Sequence, residues 1–215
     1  MTQPLAADSH GSSDEAAQVR AIVKNLLDDN ANFVGSHNAD YFKPFMDGQK
    51  PRATVVTCSD SRVHTQALDK TPDSDLFMVR NIGNQLATAE GSVEYGVHHL
   101  HTPLLIFIGH SVCGAIKAAS GDYAGLSQPI KKELDTIHVR KDGDIMENVK
   151  LNVHNQVSDA TKKFSTEIQE DKLVVMGAVY DFRNDLKQGY GKLVIINING
   201  ETDQQKLKKS PLISG

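Results

Sequence analysis

An α/β fold is expected from the sequence: a single domain with a mostly parallel central β-sheet flanked by helices, plus an N-terminal helical arm. Three observations lead there. Short apolar, β-branched runs at 53–57, 76–79, 104–108, 173–176 and 193–196 are nearly continuous rather than alternating, as in strands covered on both faces. Stretches with helical spacing separate most of these runs, and strands alternating with helices build a largely parallel sheet. The chain has 215 residues, 39% hydrophobic and 23% charged, which suits one well-buried domain with extensions.

Residues 1–14 are small and polar, with Pro4 and Gly11, and are expected to be a disordered tail. They lack the apolar core and basic start of a secretion signal. Residues 15–50 read as the helical arm. Ala17, Val19, Ile22, Val23, Leu26 and Leu27 recur at helical spacing, with Asn30 and Asn32 as the expected breakers. A second short helix runs from Tyr41 to Met46 and stops at Gly48. The α/β domain covers 51–200, with helices expected over 89–101, 115–120, 130–139 and 145–169, and 201–215 is set apart as a C-terminal tail.

Charge and cysteine usage narrow the function. The balance of 23 Lys and Arg against 27 Asp and Glu gives −4, which argues against nucleic acid, whose phosphates call for a basic face. No apolar run approaches the ~20 residues that span a membrane. Two cysteines cannot make a disulfide framework, so a reducing cytoplasm is expected, where both thiols are free to hold a metal.

The chemistry gathers at two strand ends. Cys58 follows the first strand; His110 and Cys113 follow the third, two residues apart, so they can turn back toward one point. In open α/β sheets ligands sit beyond the carboxyl ends of the strands. If the two strands are neighbours, Cys58, His110 and Cys113 converge. Two cysteines and a histidine suit zinc, and three protein ligands leave a fourth position open, the mark of a catalytic site. Taken singly, each cysteine also fits a small buried hydrophobe, and a Cys58–Cys113 disulfide is disfavoured only by the compartment. Asp60 stands where it could accept a hydrogen bond from a hydroxide on the metal, with Arg62 holding it ionised. The pair also fits an ordinary ion pair closing the following turn. His98, His99 and His101 read as a partly exposed helix end, because adjacent helical side chains point to different faces.

"CSDSR" at 58–62 together with "GHSVCGA" at 109–115 resembles the β-class carbonic anhydrases. "GQKP" at 48–51, "FMVRNIGN" at 77–84, "GSVEYGVHHL" at 91–100 and "GAVYDFRNDLKQGYGKL" at 177–193 are also similar to blocks of that family. The resemblance implies that Cys58, His110 and Cys113 bind Zn2+. It implies that Asp60 and Arg62 form the catalytic dyad, in which the aspartate either swings onto the metal or pairs with the arginine and leaves it open. Gln49 and Gly114 would contact substrate, and Tyr95 and His99 match groups implicated in proton transfer. The arm would wrap a partner in a homodimer or homotetramer.

The implied reaction is zinc-dependent, reversible hydration of CO2 to bicarbonate and a proton by zinc-bound hydroxide. The alternatives are hydrolysis of CS2 or COS on the same scaffold, or a non-catalytic protein with structural zinc. Two departures stand out. The loop between Asn81 and Glu94 is shorter than in plant-type members, and Val55 replaces the tryptophan of members whose site bicarbonate closes. The second departure favours the open form with three protein ligands.

Overall fold

The computed structural model describes residues 12–214, which divide between Gln49 and Lys50 into two compact units. In the first unit, α1 (Ser12–Ser36) is followed by α2 (Ala39–Phe42) and a 3-10 turn, Lys43–Phe45. Of the tail expected over 1–14, residues 1–11 lie outside the described residues, and Ser12 already begins α1. The helix also runs through Asn30 and Asn32, the expected breakers. Asparagine costs a helix interior only a fraction of a kcal/mol, too little to end a 25-residue helix by itself. Asn38 then caps α2, its side chain accepting from the Asp40 amide at 2.9 Å.

In the second unit, β1 (Ala53–Cys58), β2 (Leu76–Asn81), β3 (Leu104–His110), β4 (Val174–Asp181) and β5 (Lys192–Ile198) form one sheet in the order β2-β1-β3-β4-β5. The pairings β1–β2, β1–β3 and β3–β4 are parallel, and β4–β5 is antiparallel. The helices are α3 (Glu90–Glu94), which continues into a π-helical turn Tyr95–His99, α4 (Gly114–Ser120), α5 (Gln128–Leu134), α6 (Ile145–Lys163), α7 (Ser165–Gln169) and α8 (Gln204–Lys209). The expected helix over 145–169 is thus two, broken at Phe164, whose ring is fully buried against α6 and the sheet. β1 and β3 are neighbours, which the convergence of Cys58, His110 and Cys113 requires.

Both faces of the sheet are covered. Val56, Leu105, Phe107 and Val175 pack under Val157, Ala160 and Phe164, while Val149 and Val153 pack near the strands' carboxyl ends with Cys58 and Cys113. The opposite face buries Val55, Ile106, Ile108, Met176 and Ala178 together with Leu207. Two glycines set how closely α6 approaches: a Cβ at Gly109 would lie 2.8 Å from Val149 and one at Gly177 2.6 Å from Val153. The segment expected as a C-terminal tail carries a helix, α8, over Gln204–Lys209. Asp203 caps α8 by accepting from the Gln205 and Lys206 amides, and Leu207 is buried in the core. One leucine among lysines gives too little periodicity to signal this from sequence.

Candidate metal centre

Cys58 ends β1, His110 ends β3, and Cys113 precedes α4. Val112, between the last two, sits at φ 52°. That left-handed conformation is costly for a β-branched residue, and it turns the chain so that His110 and Cys113 face one point. All three side chains are buried, at 4%, 0% and 1% exposure for Cys58, His110 and Cys113. Their ligand atoms lie within 4.8 Å of one another, and the two sulfurs are 4.0 Å apart. Two thiolates on one tetrahedral zinc stand about 3.8 Å apart, given Zn–S bonds of about 2.3 Å.

The imidazole is prepared for a metal. His110 Nδ1 lies 3.0 Å from the Ser111 carbonyl, which can only accept, so Nδ1 carries the proton and Nε2 presents a lone pair. Nε2 is buried and has no hydrogen-bond partner, an arrangement costly in a protein interior unless a ligand occupies it. The thiols point the same way. The contact with Cys113 holds the Cys58 thiol below its ordinary range, and the same contact, with burial, pushes Cys113 up. The pair by itself therefore favours a single thiolate; a soft dication ionises both. The donor set, its spacing and its orphaned nitrogen fit zinc.

Asp60 and Arg62 stand at the rim. Arg62 donates from Nε to Asp60 Oδ1 at 2.9 Å and from a terminal nitrogen to Oδ2 at 2.7 Å, and its amide reaches Oδ1 at 3.0 Å. The guanidinium also bonds the Val112 carbonyl at 3.2 Å and lies 5.0 Å from the centre of the Phe182 ring. Arg62's hydrogen bonds hold the Asp60 carboxyl far below the usual carboxylate range, so it is ionised at neutral pH. Asp60 Oδ2 lies 3.9 Å from His110 Nε2, beside the triangle of ligands yet turned to the arginine.

Residues passed over in the sequence hold this geometry. Arg80, a charge inside the apolar run of β2, donates to the carbonyls of Cys58, Asp60 and Val63, at 2.8 Å for the last two. Asp181, at the end of β4, is fully buried and accepts from Ser111 Oγ at 2.9 Å and from the amides of Asp185 and Leu186 at 3.0 and 2.7 Å. In both cases the available signal was a charged residue in or ending a strand that is otherwise apolar.

Burial opposes ionisation of Asp181, but the amides and the Ser111 hydroxyl outweigh it and hold the carboxyl below its ordinary value. A folded pKa below the unfolded one means stability that is present above about pH 4 and lost as pH falls through the folded value. Asp181→Ala should therefore cost about 3 kcal/mol at pH 7. In urea unfolding with chelator present, the gap to the parent should narrow at pH 3.5. A gap that widens on acidification would contradict this.

Gly114 opens α4 directly after Cys113, with open space where a Cβ would stand. Gln49 is exposed and closes the first unit. The rings of Tyr95 and His99 lie tilted against each other with centres 4.5 Å apart, and Tyr95 lies against Phe77. Phe77 pairs with Thr54, four residues before Cys58, or roughly 13 Å along the strand. Within one chain they are not brought to the sulfurs. His98 bonds Glu167 at 3.1 Å.

A family profile described as carbonic anhydrase matches residues 53–187. Over 106 residues the chain is 37% identical to carbonic anhydrase 2 of Mycobacterium tuberculosis, covering 46% of this chain and 51% of that one. A carbonic anhydrase of Synechococcus elongatus is 34% identical over 106 residues, covering 46% and 39%. The chain thus spans about half or less of the length of these curated relatives. Among solved structures, a tetrameric β-carbonic anhydrase of Sordaria macrospora superposes with a TM-score of 0.68 at 22% identity, covering 83% of this chain and 98% of that one. A β-carbonic anhydrase of Aspergillus fumigatus gives 0.68 at 22%, covering 89% and 96%. At that identity the likeness is one of fold.

Proposed function

The chain belongs to the carbonic anhydrase family, with the β-class fold, and on that premise we propose that it catalyses the zinc-dependent, reversible hydration of carbon dioxide to bicarbonate and a proton. The observation that carries this reading is the buried triangle of Cys58, His110 and Cys113, with the unpartnered His110 Nε2 facing the two sulfurs.

When bound, zinc makes hydroxide available near neutral pH, less strongly here than with three neutral histidines because two thiolates offset its charge. The chain's own residues do the rest. The Asp60 carboxylate, fixed by the two-pronged bond from Arg62, accepts the O–H of the nucleophile and so turns a lone pair toward the carbon. Pairing with Arg62 supports the open arrangement with three protein ligands, because both carboxylate oxygens are engaged. Gln49 is assigned as a donor to the substrate oxygen that gains charge, and Gly114 as backbone lining the substrate.

Assembly as a homodimer or homotetramer belongs to the same proposal. Val19, Ile22, Val23, Leu26 and Leu27 of α1 are 48–66% exposed, an apolar surface that a second copy would cover. Among the described residues no helix is long and apolar enough to cross a membrane, and the two free thiols suit a reducing cytoplasm, where we place the protein.

The pH profile tests the mechanism. Asp60 stays ionised throughout the neutral range, so the rate should follow the nucleophile alone. Stopped-flow hydration should rise between pH 7 and pH 8.5, and a flat profile from pH 6 to 9 would contradict it.

A further inference from the structure

Behind Cys58 lies a set of buried side-chain amides that the proposed reaction does not use. Gln85, Asn152 and Gln156 are 0%, 1% and 4% exposed. Asn152 and Gln156 come from the face of α6 that also carries Val149, Val153 and Val157, where apolar residues are the ordinary choice. Buried amides are tolerated only when paired, and these are. Asn152 Nδ2 donates to the Gly83 carbonyl at 2.9 Å, and Gln85 Nε2 donates to the same oxygen. Asn152 Oδ1 in turn accepts from Gln85 Nε2 at 3.0 Å. Gln156 bonds Gln85 Oε1 at 3.0 Å and accepts from the Leu86 amide at 2.8 Å.

The bonds from Asn152 and Gln85 meet on the Gly83 carbonyl, and the Gly83 amide donates to Cys58 Sγ at 3.4 Å. Gly83 sits at φ +81°, and a Cβ there would stand 2.7 Å from Ile137 Cδ1, so only glycine brings its backbone to the sulfur without displacing a neighbour. An N–H bond to a thiolate fixes its direction and draws off part of its charge, which is how outer partners tune a metal ligand.

We propose that Asn152 and Gln85 are positioning residues for the metal thiolate: by holding the Gly83 carbonyl they keep the Gly83 amide aimed at Cys58 Sγ. This rests on the reading of Cys58, His110 and Cys113 as a zinc centre. The same helix supplies a control. Asn148 is equally buried, four residues earlier, and its amide bonds the Arg140 N–H and carbonyl at 3.0 and 2.8 Å instead.

The test measures zinc affinity by chelator competition, the thiolate-to-metal charge-transfer band of the cobalt(II)-substituted protein, and Tm. Asn152→Ala and the near-isosteric Gln85→Met should each weaken zinc binding by at least about tenfold and shift the cobalt band. Asn148→Ala should lower Tm and leave affinity and band as in the parent. If Asn152→Ala does not fold, Gln85→Met decides by itself. Parental affinity and an unshifted band in the Gln85 and Asn152 variants would overturn the proposal, as would an equal loss in Asn148→Ala. A parent that binds no zinc overturns the metal-centre reading, and the proposal with it.

Discussion

Serine in place of Cys113 should remove both the metal and the activity. A serine hydroxyl stays protonated near neutral pH and is a poor ligand for zinc, while Cys58 and His110 alone leave the ion half-coordinated. The hydration rate should fall by at least about a thousandfold, with zinc lost on dialysis and Tm no longer raised by added zinc. The fold should persist, because serine is nearly the size of cysteine and the buried cluster around Cys113 is otherwise held by Ile116, Leu134, Val149, Val153, Val179 and Ile196. Metal analysis and stopped-flow hydration on the same preparation check this. A Cys113→Ser protein that keeps zinc and turnover would place the metal elsewhere.

Asp60→Asn separates catalysis from metal binding. The substituted side chain would keep its size but present one acceptor and one donor where Asp60 presents two acceptors to Arg62. The ion pair is lost, and with it the acceptor that orients the nucleophile. The rate should drop by about a hundredfold or more while zinc content stays at the parental level, since Asp60 is not among the three clustered ligands. This variant also answers the rival reading, in which zinc only staples the strand ends. There the substitution would change neither rate nor metal content.

The sequence made the centre legible because its parts are chemically rare and locally placed. Two cysteines in the whole chain, each after a β-branched run, left few arrangements, and the adjacency of β1 and β3 supplied the remaining step. The sheet was legible because buried parallel strands write continuous apolar runs. What stayed hidden depends on partners distant in sequence. Asn152 and Gln156 look like solvated helical residues until α6 is laid on Gly109 and Gly177. Their one signal was a spacing of four shared with Asn148, in step with Val149, Val153 and Val157. His154, on a helix whose sequence around it is largely polar, is half-buried beside Asn197, 3.1 Å away, and burial holds its pKa below the ordinary value. The burial of Leu207 in α8 likewise follows from a tertiary contact and not from periodicity.

Stopped-flow hydration of CO2 at pH 8.5, with zinc counted on the same sample before and after chelation, addresses the proposed chemistry at its root. Fast turnover with one zinc per chain, lost on chelation and restored by zinc, is the predicted result. One zinc per chain with no turnover above the uncatalysed rate would contradict it, leaving the buried triangle a structural staple.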